Sequence, residues 1–227
     1  MAGLHNKEIV MKKNTLIAVL LSATLYSTAH AGTVPVGVQH DISTATLSSW
    51  GWSQIYSEDY AVNGVTVDSM FAGHGDYVMI GAQQDGTDVL HVAAAILWTD
   101  FITATLINQT NEFNGAEWYN NTYSLGFAAL GDTISQSSAD TSNTNAASRL
   151  SWHTDNTYPD PASPSIGGYI AHGGWRAGEF IGLNNSTDWN RVIYTMDAVS
   201  AVPIPAALFM FAPALLGFFG FRRKMQA

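Results

Sequence analysis

The chain has 227 residues, which is room for one domain plus processing segments. It contains no cysteine, and this excludes disulfide frameworks, Cys-ligated zinc and thiol nucleophiles together. Only 12% of residues are charged, so neutral polar side chains must supply most of the wet surface. The formal charge of −9 is unevenly placed. Between Gly32 and Ala201 there are three basic residues, Arg149, Arg176 and Arg191, against seventeen acidic ones, a net of −14. Such a body repels phosphate backbones, so no nucleic-acid partner is expected. It suits divalent cations or plain solvation.

Read from Met11, the N-terminus begins as a secretory signal, and the ten residues before Met11 read as an extended gene start. Lys12 and Lys13 form a positive n-region, and Leu16 to Tyr26 an apolar helix. Ala29-His30-Ala31 is a small-x-small cleavage site before Gly32. The apolar run falls short of the roughly 20 residues needed to cross a bilayer. A signal peptide is therefore expected over 1–31.

The body, 32–201, shows alternation and β-branched or aromatic runs rather than helical periodicity. Strands are predicted at Thr44–Ile55, Val62–Val67, Asp76–Gly81, Val89–Trp98 and Phe101–Ile107. Further strands are predicted at Glu117–Tyr123, Ser124–Leu130, Arg149–His153, Trp175–Leu183 and Trp189–Met196. In Val89–Trp98 strict alternation puts Val89, His91 and Ala93 on one face. Asn63-Gly64, Asp85-Gly86 and Asn114-Gly115 read as tight reversals, Asp85-Gly86 as a type I′ turn. Ser135–Ser148 and Asp155–Ser165 read as polar loops over the sheets. The expected fold is all-β, an antiparallel β-sandwich or jelly roll, flanked by a signal helix and a C-terminal transmembrane helix.

At 202–227 the pattern changes. Val202 to Phe221 is uncharged, and Arg222, Arg223 and Lys224 follow at once. Length and apolarity match one membrane span, with the basic end held in the cytoplasm. Val202-Pro203-Ile204-Pro205-Ala206, the apolar stretch with Gly217 and Gly220, and the basic tail stand in that order. This arrangement resembles the PEP-CTERM sorting signal, in the variant that opens Val-Pro-Leu-Pro-Ala. Ile204 stands where the parent motif has Glu. The resemblance covers about the last 25 residues. It implies a Gram-negative source, an exosortase-type membrane peptidase acting near Pro203 to Pro205, and release to the cell surface or matrix. It also implies association with exopolysaccharide and biofilm.

Within the body several groupings bear on chemistry. His172-Gly173-Gly174-Trp175 reads as a glycine turn before a strand, since no Gly-x-Ser-x-Gly nucleophile elbow accompanies it. His74 with Asp76, and His153 with Asp155, each offer two ligands, too few for a metal site. Asp85 and Asp88 are the nearest approach to a structural calcium loop, and no other cofactor is expected. Glu112, Glu117 and Glu179 are the carboxylates with strand context for glycoside hydrolysis. All seven tryptophans lie in the body. Trp50 and Trp52 are placed on one strand face, and most of the seven read as core. Trp118-Tyr119-Asn120 and Asn184-Asn185 near Trp189 mix aromatic and amide groups as sugar-contacting surfaces do. The expectation is a non-enzymatic, exported surface or matrix protein. Alternatives are a carbohydrate-binding sandwich module with an exposed tryptophan row, and a secreted hydrolase.

Overall fold

Alternating side chains give two apolar faces that must be covered, and among the described residues twelve strands cover them by folding into two antiparallel sheets. A computed structural model describes residues 32–104, 106, 109–121, 123–135, 138–155 and 170–198. These lie in one compact unit, Ala31–Ala198. The signal segment with Ala29 and Ala31 lies outside the described residues. So does the sorting segment with Val202, Pro203, Ile204, Pro205, Ala206, Gly217, Gly220, Arg222, Arg223 and Lys224. Among the described residues no helix is long and apolar enough to cross a membrane.

The strands are β1 (Val38–Ser43), β2 (Ser53–Asp59), β3 (Asn63–Thr66), β4 (Tyr77–Gln84), β5 (Val89–Leu97) and β6 (Gln109–Phe113). They continue as β7 (Ala116–Asn120), β8 (Ser124–Ala129), β9 (Leu150–Asp155), β10 (Ile170–Ala177), β11 (Phe180–Ile181) and β12 (Trp189–Met196). One sheet has the order β1-β5-β4-β12-β2, and the other β11-β10-β9-β8-β7-β6, with β3 also pairing β10. The protein is thus an antiparallel all-β structure, as its patterning predicts.

Parity along each strand assigns the layers. Val78 and Ile80 of β4, Val92, Ala94 and Ile96 of β5, and Ile193 of β12 meet Trp118, Phe127, Leu150 and Trp152 of the other sheet. The alternate residues Met79, Ala93, Ala95, Val192 and Tyr194 face outward onto a second core. That core is closed by Leu47 and Trp52, with Val34 and Trp50 packed against it. Coverage on both faces explains why β5 is continuously apolar instead of alternating. Gly32 packs against Met196, so the described chain begins and ends at neighbouring points.

Among the described residues three α-helices and one 3-10 turn (Ala146–Ser148) interrupt the strands, and two of the α-helices replace predicted strand. Helix α1 (Thr44–Ser49) stands in Thr44–Ile55, its N-cap Ser43 accepting the Thr46 N–H at 3.1 Å. Trp50 is its C-cap, so Trp50 and Trp52 share no strand. Helix α2 is Val67–Met70. Helix α3 (Trp98–Ala104) stands in Phe101–Ile107, and its i, i+3 pair Phe101 and Ala104 is fully buried.

Turn chemistry is mixed. Asn114 (φ 47°) and Gly115 (φ 75°) both take positive φ, as a type I′ hairpin requires. At Asp85-Gly86 only Gly86 does, so that reversal is not type I′. Asn63-Gly64 lies inside β3, and the reversal falls earlier, with the Val62 N–H donating to Asp59 O at 3.1 Å. His172-Gly173-Gly174-Trp175 is no turn. It lies within β10, where the register against β9 slips on both sides of Gly174. A Cβ on Gly174 would overlap the Tyr60 ring, so only glycine fits that bulge.

The outer face of the seven-stranded sheet is covered by polar loop. The 138–148 stretch is pinned there by two buried guanidinium groups. Arg149 Nη1 donates to both carboxylate oxygens of Asp140, at 3.0 and 2.8 Å. Its Nε donates to Thr144 O at 2.7 Å, and its Nη2 pairs with Asp132 at 3.1 Å. Arg176 donates from Nε to Gly178 O at 2.6 Å and from Nη2 to Ala146 O at 3.4 Å. Replacing Arg149 by Ala strips the buried Asp140 of its two short bonds and leaves it only Arg176 Nη1 at 3.9 Å and the Ser142 N–H, and a loss of about 3–5 kcal/mol is expected. Arg149→Lys is expected to lose less but still measurably, since one ammonium cannot reproduce the fork. Urea denaturation of the two variants checks both outcomes.

Candidate functional site

A polar cavity lies where the first sheet's β5 meets the hairpin between β10 and β11 of the second. His91 is its centre, and a β-bulge puts it there. Ala82 faces Val92, but the next residue of β4, Gln83, faces Leu90, leaving His91 unopposed on that side. Leu90 therefore shares the outer core with Ala93. His91 turns instead toward Trp189, ring centroids 5.5 Å apart. The expected alternation of Val89, His91 and Ala93 on one face is broken by this extra residue.

Two carboxylates meet the imidazole from different strands. The register on either side, His40 opposite Val92 and Ile42 opposite Leu90, sets Asp41 across from His91. Asp41 holds φ 49°, a conformation costly for a side-chain-bearing residue. Its Oδ1 lies 3.3 Å from His91 Nδ1. On the other edge, Glu179 Oε2 lies 3.2 Å from His91 Nε2. Glu179 arrives on the two-residue turn Gly178-Glu179, with Gly178 at φ 60°, the glycine-first pattern of tight hairpins. That turn is fixed from below: Arg176 holds the Gly178 carbonyl, and the Gly178 N–H donates to Arg149 O at 2.8 Å. A hydrogen bond from its own backbone N–H, and further that of His91, hold the Glu179 carboxyl below its ordinary value, against slight desolvation.

The cavity measures about 310 Å³ and is lined also by Gln84, Thr87, Val89, Phe180 and Trp189. Phe180 is 45% exposed, and its ring lies 5.2 Å from that of Trp189. The carboxylates of Asp41 and Glu179 are 72% and 53% exposed, so both reach solvent. The three ionisable groups diverge, because the two ring nitrogens point to opposite edges of one imidazole. A single metal ion cannot use both nitrogens of one histidine together with both carboxylates. Among the described residues no group of three or more His, Asp or Glu is arranged to hold a metal.

The sequence-predicted residues are distributed otherwise. Trp118 and Tyr119 are fully buried and Asn120 is 2% exposed, so this trio forms core and not a sugar platform. Trp118 of β7 faces the main core between the sheets, and Tyr119 on its other face is covered by Ala128 and Ile134. Trp189 is also buried, at 6%, yet lines the cavity. Asn184 is half-buried and Asn185 exposed, in the loop leading to β12. None of the seven tryptophans belongs to the exposed class, so the expected exposed row is not formed. Asp85 and Asp88 are exposed in the β4–β5 turn. Their backbones, not their carboxylates, tie that turn down, through Asp85 N–H to Asp188 O and Thr44 N–H to Asp88 O, both 2.8 Å.

Glu112 and Glu117 face each other across β6 and β7. Three strand spacings of about 4.8 Å separate β10 from β7, so Glu179 cannot join them at the ~6.5–9.5 Å a glycosidase needs. His74 and Asp76 line one cavity of about 340 Å³ with Trp98 and Asp197, where the His74 ring stacks on Trp98 at 3.7 Å and Asp76 accepts the Ala198 N–H at 2.8 Å. His40 Nε2 contacts Ser148 Oγ at 3.2 Å, on the exposed side. His153 and Asp155 both lie in β9.

The fold and cavity thus define an antiparallel sandwich with a mixed aromatic and acidic pocket between its sheets. No family model, curated protein or solved structure matches this chain.

One histidine gives this body a pH dependence of known sign. Burial pushes the His153 imidazole below its ordinary 6.5, with the backbone contact to Tyr123 opposing and His172 adding to the fall. Below 6.5 the unfolded chain binds the proton before the folded one does, so stability falls as pH drops through that value. The thermal midpoint is expected to decline from about pH 7.5 to 5.5, and less steeply in His153→Gln, as calorimetry would show.

Proposed function

We propose that this chain is an exported, non-enzymatic protein of the cell surface or extracellular matrix, whose body contacts saccharide at the His91 pocket. The observation that carries the contact is the exposed Phe180 ring beside acceptors and donors from Asp41, Glu179, His91 and Gln84. An aromatic face with convergent polar groups is how sugar rings are held, by stacking and by bonds to hydroxyls. The address rests on the signal pattern before Gly32 and on the sorting-type segment from Val202 to Lys224. In this reading an exosortase-type peptidase is the processing partner, and the C-terminal helix anchors the protein to the inner membrane until it is cleaved.

The exterior weighs against a phosphate-bearing partner. Arg149, Arg176 and Arg191 are all fully buried, so the body offers no arginine or lysine to an anionic polymer. Intact mass of the protein recovered from the matrix and medium of its host is the test. Loss of the segment before Gly32 and of that after about Val202 is expected. A species that keeps Arg222 to Ala227 in the inner membrane would overturn the reading.

A further inference from the structure

The His91 pocket has a charge that a neutral sugar does not need. Its carboxylates, Asp41 and Glu179, belong to a body whose every cationic Arg is internal. Gln84 and Thr87, also lining the pocket, bracket the turn that bears Asp85, and the Asp85 N–H is bonded to Asp188 O, so further acids border the same rim. Arg176, whose Nε holds the Gly178 carbonyl of the pocket hairpin, is committed also to the carbonyls of Ala146 and Ser142 and lies 3.9 Å from the buried Asp140 carboxylate. Carboxylates accept hydrogen bonds and cannot donate them. The pocket is therefore matched to a ligand that brings donors and positive charge, and it is mismatched to uronic acids, sulfated sugars and acetamido carbonyls.

We propose that this pocket takes a hexosamine with a free amino group, as in a deacetylated amino-sugar polymer. Its ammonium meets the Glu179 carboxylate while its ring lies on Phe180, the next residue of the same hairpin. Asp41 and Gln84 take ring hydroxyls. This rests on the saccharide reading above and names the sugar class within it. Three features assemble the site. The His91 bulge turns the imidazole between the acids. The Gly178-Glu179 turn sets carboxylate and aromatic ring side by side. The Arg176 bond to Gly178 O keeps that turn in place. The ammonium gains a charge-assisted bond and the ring face of an aromatic, interactions that an N-acetyl group cannot make. Because the Glu179 carboxyl is held low, it stays ionised at the mildly acidic pH where a sugar amine carries its proton.

The test is calorimetric titration of the full chain with a hexamer of β-1,4-glucosamine and with its fully N-acetylated counterpart. The glucosamine hexamer is expected to bind about tenfold more tightly or better, the size of one charge-assisted bond. Glu179→Gln is expected to remove about that factor for the amine hexamer and to leave the acetylated one unchanged. Phe180→Ala should weaken both. Glu112→Gln, at the far edge of the same sheet, should weaken neither. Equal binding of the two hexamers overturns the amine assignment while the saccharide reading stands. Equal losses in Glu112→Gln and Glu179→Gln also overturn it, by showing diffuse attraction of a polycation. Binding of neither hexamer overturns both readings.

Discussion

Two guanidinium groups stand where the seven-stranded sheet has no third apolar layer. On the other sheet, α1 and the stretch from Gly32 to Trp52 supply Leu47, Trp50 and Trp52 as a cover. Here the cover is a polar loop with only Ile134 as a buried apolar anchor against Tyr119 and Ala128. Such a loop exposes carbonyls that have no ladder to join, and a buried carbonyl without a donor is costly. Arg149 and Arg176 donate to Thr133, Thr144, Gly178, Ser142 and Ala146. Asp140 completes the set by neutralising Arg149. Burying these charges opposes folding, and the number of bonds to carbonyl oxygen is what offsets it.

The same constraint reaches the candidate site. Gly178 is bonded at its carbonyl by Arg176 and at its N–H by the Arg149 carbonyl. The hairpin that carries Glu179 and Phe180 is thus held by the groups that hold the loop. Trp175 joins them, its indole N–H donating to Asp140 O at 3.2 Å. A site on an exposed two-residue turn would otherwise be loose, because few contacts cross to it. Here the turn inherits rigidity from a buried network on the opposite side of its own strand.

Strand identity was legible because parity along the chain is a local signal. Trp189–Met196 coincides with β12, and Ser124–Ala129 with most of its predicted run. The helices were not legible for the converse reason. Thr44–Ser49 holds a single core residue, Leu47, and two threonines, a composition that favours strand. Its helicity comes from the Ser43 cap and from the space over the outer core. Trp98–Ala104 reads as strand by its aromatic and β-branched residues. It turns helical because Phe101 and Ala104 enter the main core together, Phe101 lying 4.8 Å from Phe71 and 5.9 Å from Trp118. Strand β1 was missed because only Ile42 in it is buried. The site was hidden more deeply. Trp189 was singled out for its amide-rich approach, and Glu179 as a strand carboxylate, but their meeting depends on the register of β1 against β5 and on one extra residue at His91. Cross-strand register and bulges are set by partners far away in sequence, and no local pattern announces them.

Burial of every body arginine links fold to electrostatics. A protein with three cations and seventeen acids could have placed the cations on its surface, each offsetting a neighbouring carboxylate. It places them inside, against carbonyl oxygens. Among the described residues Asp140 and Asp132 pair with Arg149, and most of the other acids are left to solvent and repel one another across the surface. Glu112 and Glu117 face each other directly across β6 and β7, an arrangement that costs stability in a hairpin. Between exposed groups such repulsion is largely screened beyond about 10 Å at 0.1 M salt. In the cavity between Trp189, Phe180 and the β4–β5 turn, Asp41 and Glu179 flank one imidazole and both reach solvent. Among the described contacts of Asp41 and Glu179, His91 is the one ionisable partner they share. The use of arginine to hold a polar loop in place is thus what leaves this pocket anionic.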